Sequence, residues 1–470
     1  MEQSRIENYF AAQKQTLLDD ICRVVRIKSD KGEALPGKPF GEGPVAALEE
    51  MLHLAESMGF RTKNYENYVG TVDFNTKQTQ LAILAHLDVV PAGNDWTVTQ
   101  PFAPVIQDGK LYGRGTSDDK GPAVVALYAL KAVKDLGVSL QKNVRLIVGT
   151  DEECGSADIA YYYSKEKEDP MTFSPDASFP VINIEKARLV GTLSATFSRN
   201  ETLPRVKQMD AGVKENVVHD VAKAVVEGLA PEKLVPFLRQ AEEQTGARFT
   251  VGSGKDGVEI TAKGKSAHAS TPEQGNNALT ALLSLLAALP LAKSDGADKL
   301  CALAKLFPHG DTVGHAAGVA QADDASGALT ISLNMLHGDE NGMSGVFDCR
   351  APLCATEENL QNVLQKQFET AGFSLRQNFA SAHHVPGDTP FVRTLLKCYE
   401  QYTGRKGECM ATGGGTYVHE LQNGVAFGCS MPETDNRMHG ADEFAIVDEL
   451  LTAAKIYTQA IIDLCGEVGG

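Results

Sequence analysis

The chain is predicted to be an α/β protein, a mixed, mostly parallel sheet flanked by helices, interrupted by an inserted α+β lid domain. Three observations predict this. Apolar strand-like runs alternate with helix-like segments over the first part of the chain, the order that parallel crossovers require. After Glu185 the texture changes to short alternating β patterns broken by glycine-rich turns, which signal hairpins. From Thr389 the alternation of helix and strand returns. At 470 residues the chain also exceeds what one hydrophobic core usually serves. The expected division is 1–186 and 380–470 for a discontinuous domain that carries the chemistry, and 187–379 for the lid.

The elements follow in order. Ile6–Val25 and Pro44–Met58 have helical periodicity, and Gly59 suits the left-handed turn that closes the second. Leu81–Ala85 is a continuous apolar run expected to be a buried strand. Lys120–Leu136 places Val124, Leu127, Leu130 and Val133 on one helical face and stops at Gly137; Val144–Val148 is the next buried strand. In the insert, Leu189–Phe197, Phe249–Gly264 and Ala328–Pro352 read as strands and hairpins, interleaved with helices at Glu232–Glu243, Asn276–Leu289 and Glu357–Ala371. Beyond it come a helix at Pro390–Tyr402, a glycine-rich turn (ATGGGTY), a strand at Val425–Cys429 and a final helix at Glu443–Cys465. No short-period repeat interrupts this order.

Composition narrows the function. A net charge of −17 repels phosphate backbones and anionic lipid, so neither nucleic acid nor a membrane is the expected partner. The start, MEQSRIENYF, has no basic and apolar leader, and the apolar stretch Ala278–Ala292 is too short to span a bilayer; a cytoplasmic location is expected. Nine scattered cysteines without a C-x-x-C pair suit reduced thiols rather than a disulfide frame.

Five segments carry the chemistry: LAILAHLDVVP (81–91), GRGTSDDKGP (113–122), GTDEECGS (149–156), SPDASFP (174–180) and RMHGADEF (437–444). Together they offer His86, Asp118, Glu152, Glu153, Asp176 and His439. Singly, such acids and histidines are usually solvated turn residues. Jointly, at strand ends and glycine-rich turns of one α/β block, they read as a metal site, because functional side chains of open sheets gather at the strands' carboxyl ends. Histidine and carboxylate without cysteine suit Zn²⁺, with Mn²⁺ or Co²⁺ as chemically admissible substitutes. Charge balance favours two ions, which would acidify a shared water and polarise a substrate carbonyl; amide hydrolysis follows. His86 and Asp88 are two apart, hence on one face of an extended chain, where Asp88 can hold the second imidazole nitrogen. Of the adjacent pair Glu152 and Glu153, one can ligate while the other takes the water's proton. Histidines 53, 219, 309, 315 and 337 lack such company and are expected at the surface or satisfied in the core.

At these residues, and at SPDASFPVINIEKA, GKSAHAS, ATGGGTY and NGVAFG, the chain resembles the co-catalytic di-zinc metallopeptidases. That family includes PepV-type bacterial dipeptidases, carnosinases, and acetylornithine or succinyl-diaminopimelate deacylases, and the resemblance is closest to the PepV type. It implies two Zn²⁺ per subunit: Asp118 bridges both, His86 and Asp176 complete one site, and Glu153 and His439 the other. It also implies Glu152 as general base, a cis bond between Asp118 and Asp119, and His268 of the lid as donor to the tetrahedral oxyanion. Arg350, Asn216 and the backbone of Gly414, Gly415 and Thr416 would bind substrate. The expected activity is hydrolysis of dipeptides and some tripeptides, by a monomer in preference to a homodimer because the long lid can complete the site within one chain. An N-acyl amino acid deacylase shares the metal chemistry and differs at the substrate's amino end. A non-catalytic protein that has kept the fold is disfavoured by the intact Glu152 and ligand set.

Overall fold

The computed structural model describes residues 3–466. It divides into two compact units: the chain up to Ile184 with His383–Met410 and the residues from Gly415 on, and a second unit of Glu185–Ala382 with Ala411–Gly414. Each is α/β in content, with a sheet covered by helices.

In the first unit the sheet runs Arg61–Tyr65, Val69–Asp73, Asn143–Gly149, Thr79–His86, Met171–Ser174, Gly424–Ala426, Val181–Glu185 and His383–His384. Thr79–His86 lies parallel to both Asn143–Gly149 and Met171–Ser174, with His86 opposite Gly149 and Ile83 opposite Phe173. The carboxyl ends of these three strands therefore open on one edge of the sheet, where His86, the acidic turn at 150–153 and Asp176 stand. Six consecutive residues of the central strand, Leu81–His86, are buried, as parallel strands covered on both faces must be.

The helix Lys120–Asp135 was expected to bury one face, yet every residue from Lys120 through Leu130 is buried. It lies between the sheet and the helices Gln3–Val25 and Val447–Cys465, so its outer side also meets protein. Leu127 is fully buried there, and truncating it to Ala would cost about 2–5 kcal/mol.

The second unit is an eight-stranded antiparallel sheet in the order Arg248–Gly254, Gly257–Lys263, Val221–Glu227, Arg205–Ala211, Thr330–Gly338, Gly342–Ala351, Ala187–Thr196 and Ser374–Ala380. Alternate residues of Ala187–Thr196 are buried, and that face meets a core shared with the helices Pro231–Thr245, Ala278–Ala288, Asp295–Leu306 and Asn362–Thr370. The apolar stretch at 278–292 thus forms an 11-residue core helix, capped by Asn277, whose side chain accepts from the N–H of Leu279 and Thr280. No helix among the described residues is long and apolar enough to cross a membrane. All nine cysteines are free thiols.

Several element bounds differ from the sequence reading. The final helix begins at Val447, and Phe444–Ile446 is instead a strand paired with Lys110–Tyr112. Glu357–Gln361 is wound as a wider π turn before the α-helix Asn362–Thr370. The helix Asp295–Leu306, capped by Ser294, was not anticipated; its charged outer face dilutes the apolar signal.

Candidate metal centre

Two donor groups share one residue. His86, Asp118 and Asp176 form the first, and Asp118, Glu153 and His439 the second, with the donor atoms of each group within 4.8 Å of one another. His86 Nε2 lies 2.9 Å from Asp118 Oδ1 and 3.5 Å from Asp176 Oδ2. His439 Nε2 lies 2.9 Å from the other oxygen, Asp118 Oδ2, and 3.3 Å from Glu153 Oε1. The two oxygens of one carboxylate therefore serve two separate clusters.

The imidazole of His86 is oriented by its other nitrogen, which sits 3.0 Å from the backbone carbonyl of Asp88. A carbonyl only accepts, so Nδ1 carries the hydrogen and Nε2 turns toward the carboxylates. A neutral ring in that state meets Asp118 and Asp176 lone pair to lone pair, and the contact is favourable only with a second proton or a cation between them. Glu153 Oε1 makes the same point: it is buried and accepts no hydrogen bond. Nitrogen and oxygen donors without sulfur, two clusters and a shared carboxylate fit a pair of borderline divalent cations.

Charge among these groups is strongly coupled. Burial opposes protonation of His439, but Asp118 and Glu153 outweigh it and raise its pKa to about 11. Burial likewise disfavours the charged form of His86, and Asp118, Asp176 and Asp88 together hold it well above the usual histidine range. For Asp118, burial works against ionisation, while His439 and His86 more than offset it and keep the carboxyl far below its ordinary value. Burial, reinforced by Asp118, pushes Glu153 up to about 7. Divalent ions would take the place of the protons these groups otherwise share.

Buried carboxylates anchor the acidic turn and the strand end at His86. Asp88 accepts from the N–H of Glu152 at 3.1 Å and of Glu153 at 3.0 Å, one on each oxygen. Its Oδ1 is 3.4 Å from His86 Nδ1, farther than its own carbonyl. The ring's nearer contact is thus the carbonyl, with the Asp88 carboxylate beside it, and the same carboxylate also holds the acidic turn. Asp158 Oδ2 accepts from the N–H of Thr150 and Asp151 and from the Tyr417 hydroxyl. At Gly149 a Cβ would fall 2.1 Å from the Tyr417 hydroxyl oxygen, so this approach requires glycine. Asp119 Oδ2 accepts from the backbone N–H of His86 at 3.0 Å, and the bond joining Asp118 to Asp119 is cis.

The model of peptidase family M20/M25/M40 matches residues 82–463. The chain belongs to this peptidase family. Among curated proteins, the M20 peptidase is 35% identical over 457 residues to the putative dipeptidase YtjP of Bacillus subtilis, covering 96% of this chain and 97% of that one. It is 34% identical over 463 residues to the Beta-Ala-Xaa dipeptidase of Lactobacillus delbrueckii subsp. lactis, with the same coverage. Two solved structures share its fold at low identity. Human carnosine dipeptidase 1 is 12% identical with a TM-score of 0.58, covering 98% of this chain and 99% of that one. The aminoacylhistidine dipeptidase of Vibrio alginolyticus is 13% identical with a TM-score of 0.59, covering 96% and 97%. The family, the fold class and the enzyme class are those the sequence led one to expect.

Within the second unit of the M20 peptidase, Asn216 and His268 lie on adjoining segments. Val217 pairs with His268 across two short strands, and the carbonyl of Asn216 accepts from the N–H of Ala269 at 2.9 Å. His268 Nδ1 accepts from the backbone N–H of Ser270, so the ring hydrogen is on Nε2 and the residue is in donor form. Arg350 is buried and already engaged: Asp348 takes Nε and Nη2 at 2.6 and 3.1 Å, and the Gly413 carbonyl takes Nη1. These contacts commit three of a guanidinium's five N–H donors. The Gly414 N–H donates to Thr412 Oγ1 at 3.0 Å, and Thr416 Oγ1 caps the short helical turn Tyr417–Glu420. Gly414 and Gly415 fall on opposite sides of the boundary between the two units.

The set-aside histidines are satisfied where expected: His309 bonds Thr280 and the Thr245 carbonyl, and His337 pairs with Asp210. Sequence reasoning missed Asp158 and Glu443. Neither has a signal of its own: Glu443 opens a predicted helix, where an acid reads as a solvated residue facing the helix dipole, and Asp158 lies outside every element read from the sequence.

Proposed function

We propose that the M20 peptidase is a dipeptidase that holds two divalent ions through His86, Asp118, Asp176, Glu153 and His439 and uses Glu152 as general base. The observation that carries this is the division of Asp118 between two donor clusters, with Glu152 next to a member of one of them. Two such ions, when bound, supply Lewis acidity to the scissile carbonyl and acidify the attacking water. Donor chemistry supports Zn²⁺, with Mn²⁺ and Co²⁺ as substitutes.

Glu152 suits the base role because burial, followed by the charges of Asp176, Glu153 and Asp118, raises its carboxyl well above the usual range, although His86 opposes them. A carboxylate beside the attacking water can take its proton and return it to the leaving amine. Asp88 keeps the turn in place while it does so. His268, in donor form, is assigned to the developing oxyanion, where such a donor contributes about 3–4 kcal/mol. Arg350, Asn216 and the backbone of Gly414, Gly415 and Thr416 are assigned to the substrate's carboxylate end. Arg350 would use the two N–H donors not committed to Asp348 and Gly413.

Names of the relatives matched over nearly their full length, YtjP and the Beta-Ala-Xaa enzyme, favour a dipeptide over an N-acyl amino acid as substrate. The net charge of −17 supports a cytoplasmic enzyme without nucleic-acid or membrane partners, and the large second unit supports a monomer. The test is hydrolysis of free-amino dipeptides against N-acetyl and N-succinyl amino acids, by chelator-stripped protein and after Zn²⁺ or Mn²⁺ is returned. Metal-dependent cleavage confined to the dipeptides is expected. Preference for the acylated substrates would replace the substrate, and activity indifferent to metal would remove the mechanism.

A further inference from the structure

Glu443 is completely buried, and it does more than balance a charge. Its Oε1 accepts from three backbone N–H groups of the loop that leads to the shared ligand: Gly115 at 3.0 Å, Ser117 at 3.0 Å and Asp118 itself at 3.2 Å. Its Oε2 pairs with the buried guanidinium of Arg114, which also donates to the Gly440 carbonyl at 3.0 Å. The backbone around it is tied to the same region, since the Gly113 N–H donates to the Glu443 carbonyl and Phe444–Ile446 pairs with Lys110–Tyr112.

The loop so held is the one that carries His439. Arg437, His439 and Asp442 all have positive φ, at 54°, 62° and 56°. Non-glycine residues keep that conformation only where their surroundings over-determine it. Asp442 fixes one side by accepting from the N–H groups of Thr97 and Val98 and from the Thr97 hydroxyl. Glu443 fixes the other.

We propose that Glu443 is a positioning residue for the metal centre: by clamping the Asp118 loop to the His439 loop, 325 residues apart in sequence, it sets the spacing between the shared carboxylate and the imidazole. This rests on the metal-centre reading above. A buried ion pair alone would add little to stability, whereas the N–H of Asp118 fixes the Cα from which the bridging side chain springs. Partners that orient metal ligands typically matter 10- to 100-fold in metal affinity.

The experiment compares full-length Glu443→Gln, Glu443→Asp, Arg114→Met and Asp118→Asn with the unaltered enzyme. Zn²⁺ affinity is read by competition with a chromophoric chelator, Zn²⁺ content by elemental analysis, and thermal stability in EDTA. Arg114→Met breaks the same ion pair but leaves Glu443 on the loop N–H groups. The expected result is a loss of affinity of about 10- to 100-fold in Glu443→Gln. A smaller loss is expected in Glu443→Asp, and the smallest in Arg114→Met, although the last destabilises the EDTA-treated protein at least as much. Wild-type affinity in both Glu443 variants would overturn the proposal. So would an equal loss in Arg114→Met, or failure of both Glu443 variants to fold, which would leave a purely structural role. Failure of the underlying reading looks different: unaltered enzyme that does not take up two ions, or Asp118→Asn that takes up both.

Discussion

The carboxylate of Asp88 holds the backbone of Glu153, with Oδ2 accepting from its N–H at 3.0 Å while Oδ1 accepts from Glu152 at 3.1 Å. Aim of the acidic turn therefore depends on a residue 65 positions earlier in the chain. Replacing Asp88 with Asn leaves one oxygen for two donors and sets an NH₂ against the other. Dipeptide turnover by Asp88→Asn should fall about 10- to 100-fold while KM changes little, because the turn carries the proposed base rather than a residue assigned to the substrate. Steady-state kinetics at saturating metal check this; an unchanged kcat would free the turn from Asp88.

His268 presents a donor nitrogen because Ser270 occupies the other one. His268→Ala should lower kcat by about 10²- to 10³-fold, the usual effect of losing an oxyanion donor. An effect confined to KM would instead make the residue a binding contact.

Asp158 gives a pH signature in stability. Burial raises its carboxyl to about 6, despite the hydrogen bonds from Tyr417 and from the N–H groups of Thr150 and Ile159. A carboxyl with a raised folded-state pKa is relatively stabilising when protonated, so its contribution is fully favourable below its unfolded value and is lost as pH rises through about 6. Denaturant unfolding in EDTA of the wild type and Asp158→Asn should therefore show the variant gaining on the wild type between pH 4 and pH 7.5, by about 2–3 kcal/mol. A difference independent of pH would mean that the Asp158 carboxyl titrates alike in the folded and unfolded states.

The parts of this molecule that could be read in the sequence are those with a local signature. His86 stands at the end of a six-residue buried run, Asp176 follows the strand Met171–Ser174, and Asp118, Glu153 and His439 lie in turns that contain glycine, so strand ends and acids together pointed to one edge of one sheet. The bonds by which Asp88, Asp158 and Glu443 hold those turns were not legible, since their partners are backbone N–H groups, which carry no residue signature. Glu443 read as the first residue of a helix; only the pairing of Phe444–Ile446 with Lys110–Tyr112 turns it inward. Asp88 was recognised as a supporting residue of His86, but its bonds to the N–H groups of Glu152 and Glu153 were not, because two-residue spacing tells which face a side chain shares and not which other atoms it reaches. Arg350 was legible as a strand-end arginine, whereas its engagement by Asp348 and the Gly413 carbonyl depends on the fold.

In the proposed mechanism Glu152 moves the proton while its neighbours hold the metal. The most direct measurement is dipeptide turnover by Glu152→Gln together with its metal content. Turnover should fall by at least about 10²-fold, the least that general-base catalysis usually contributes, with two ions retained per chain as in the wild type. Retained turnover would place the base elsewhere, and loss of metal in step with loss of activity would make Glu152 a ligand instead.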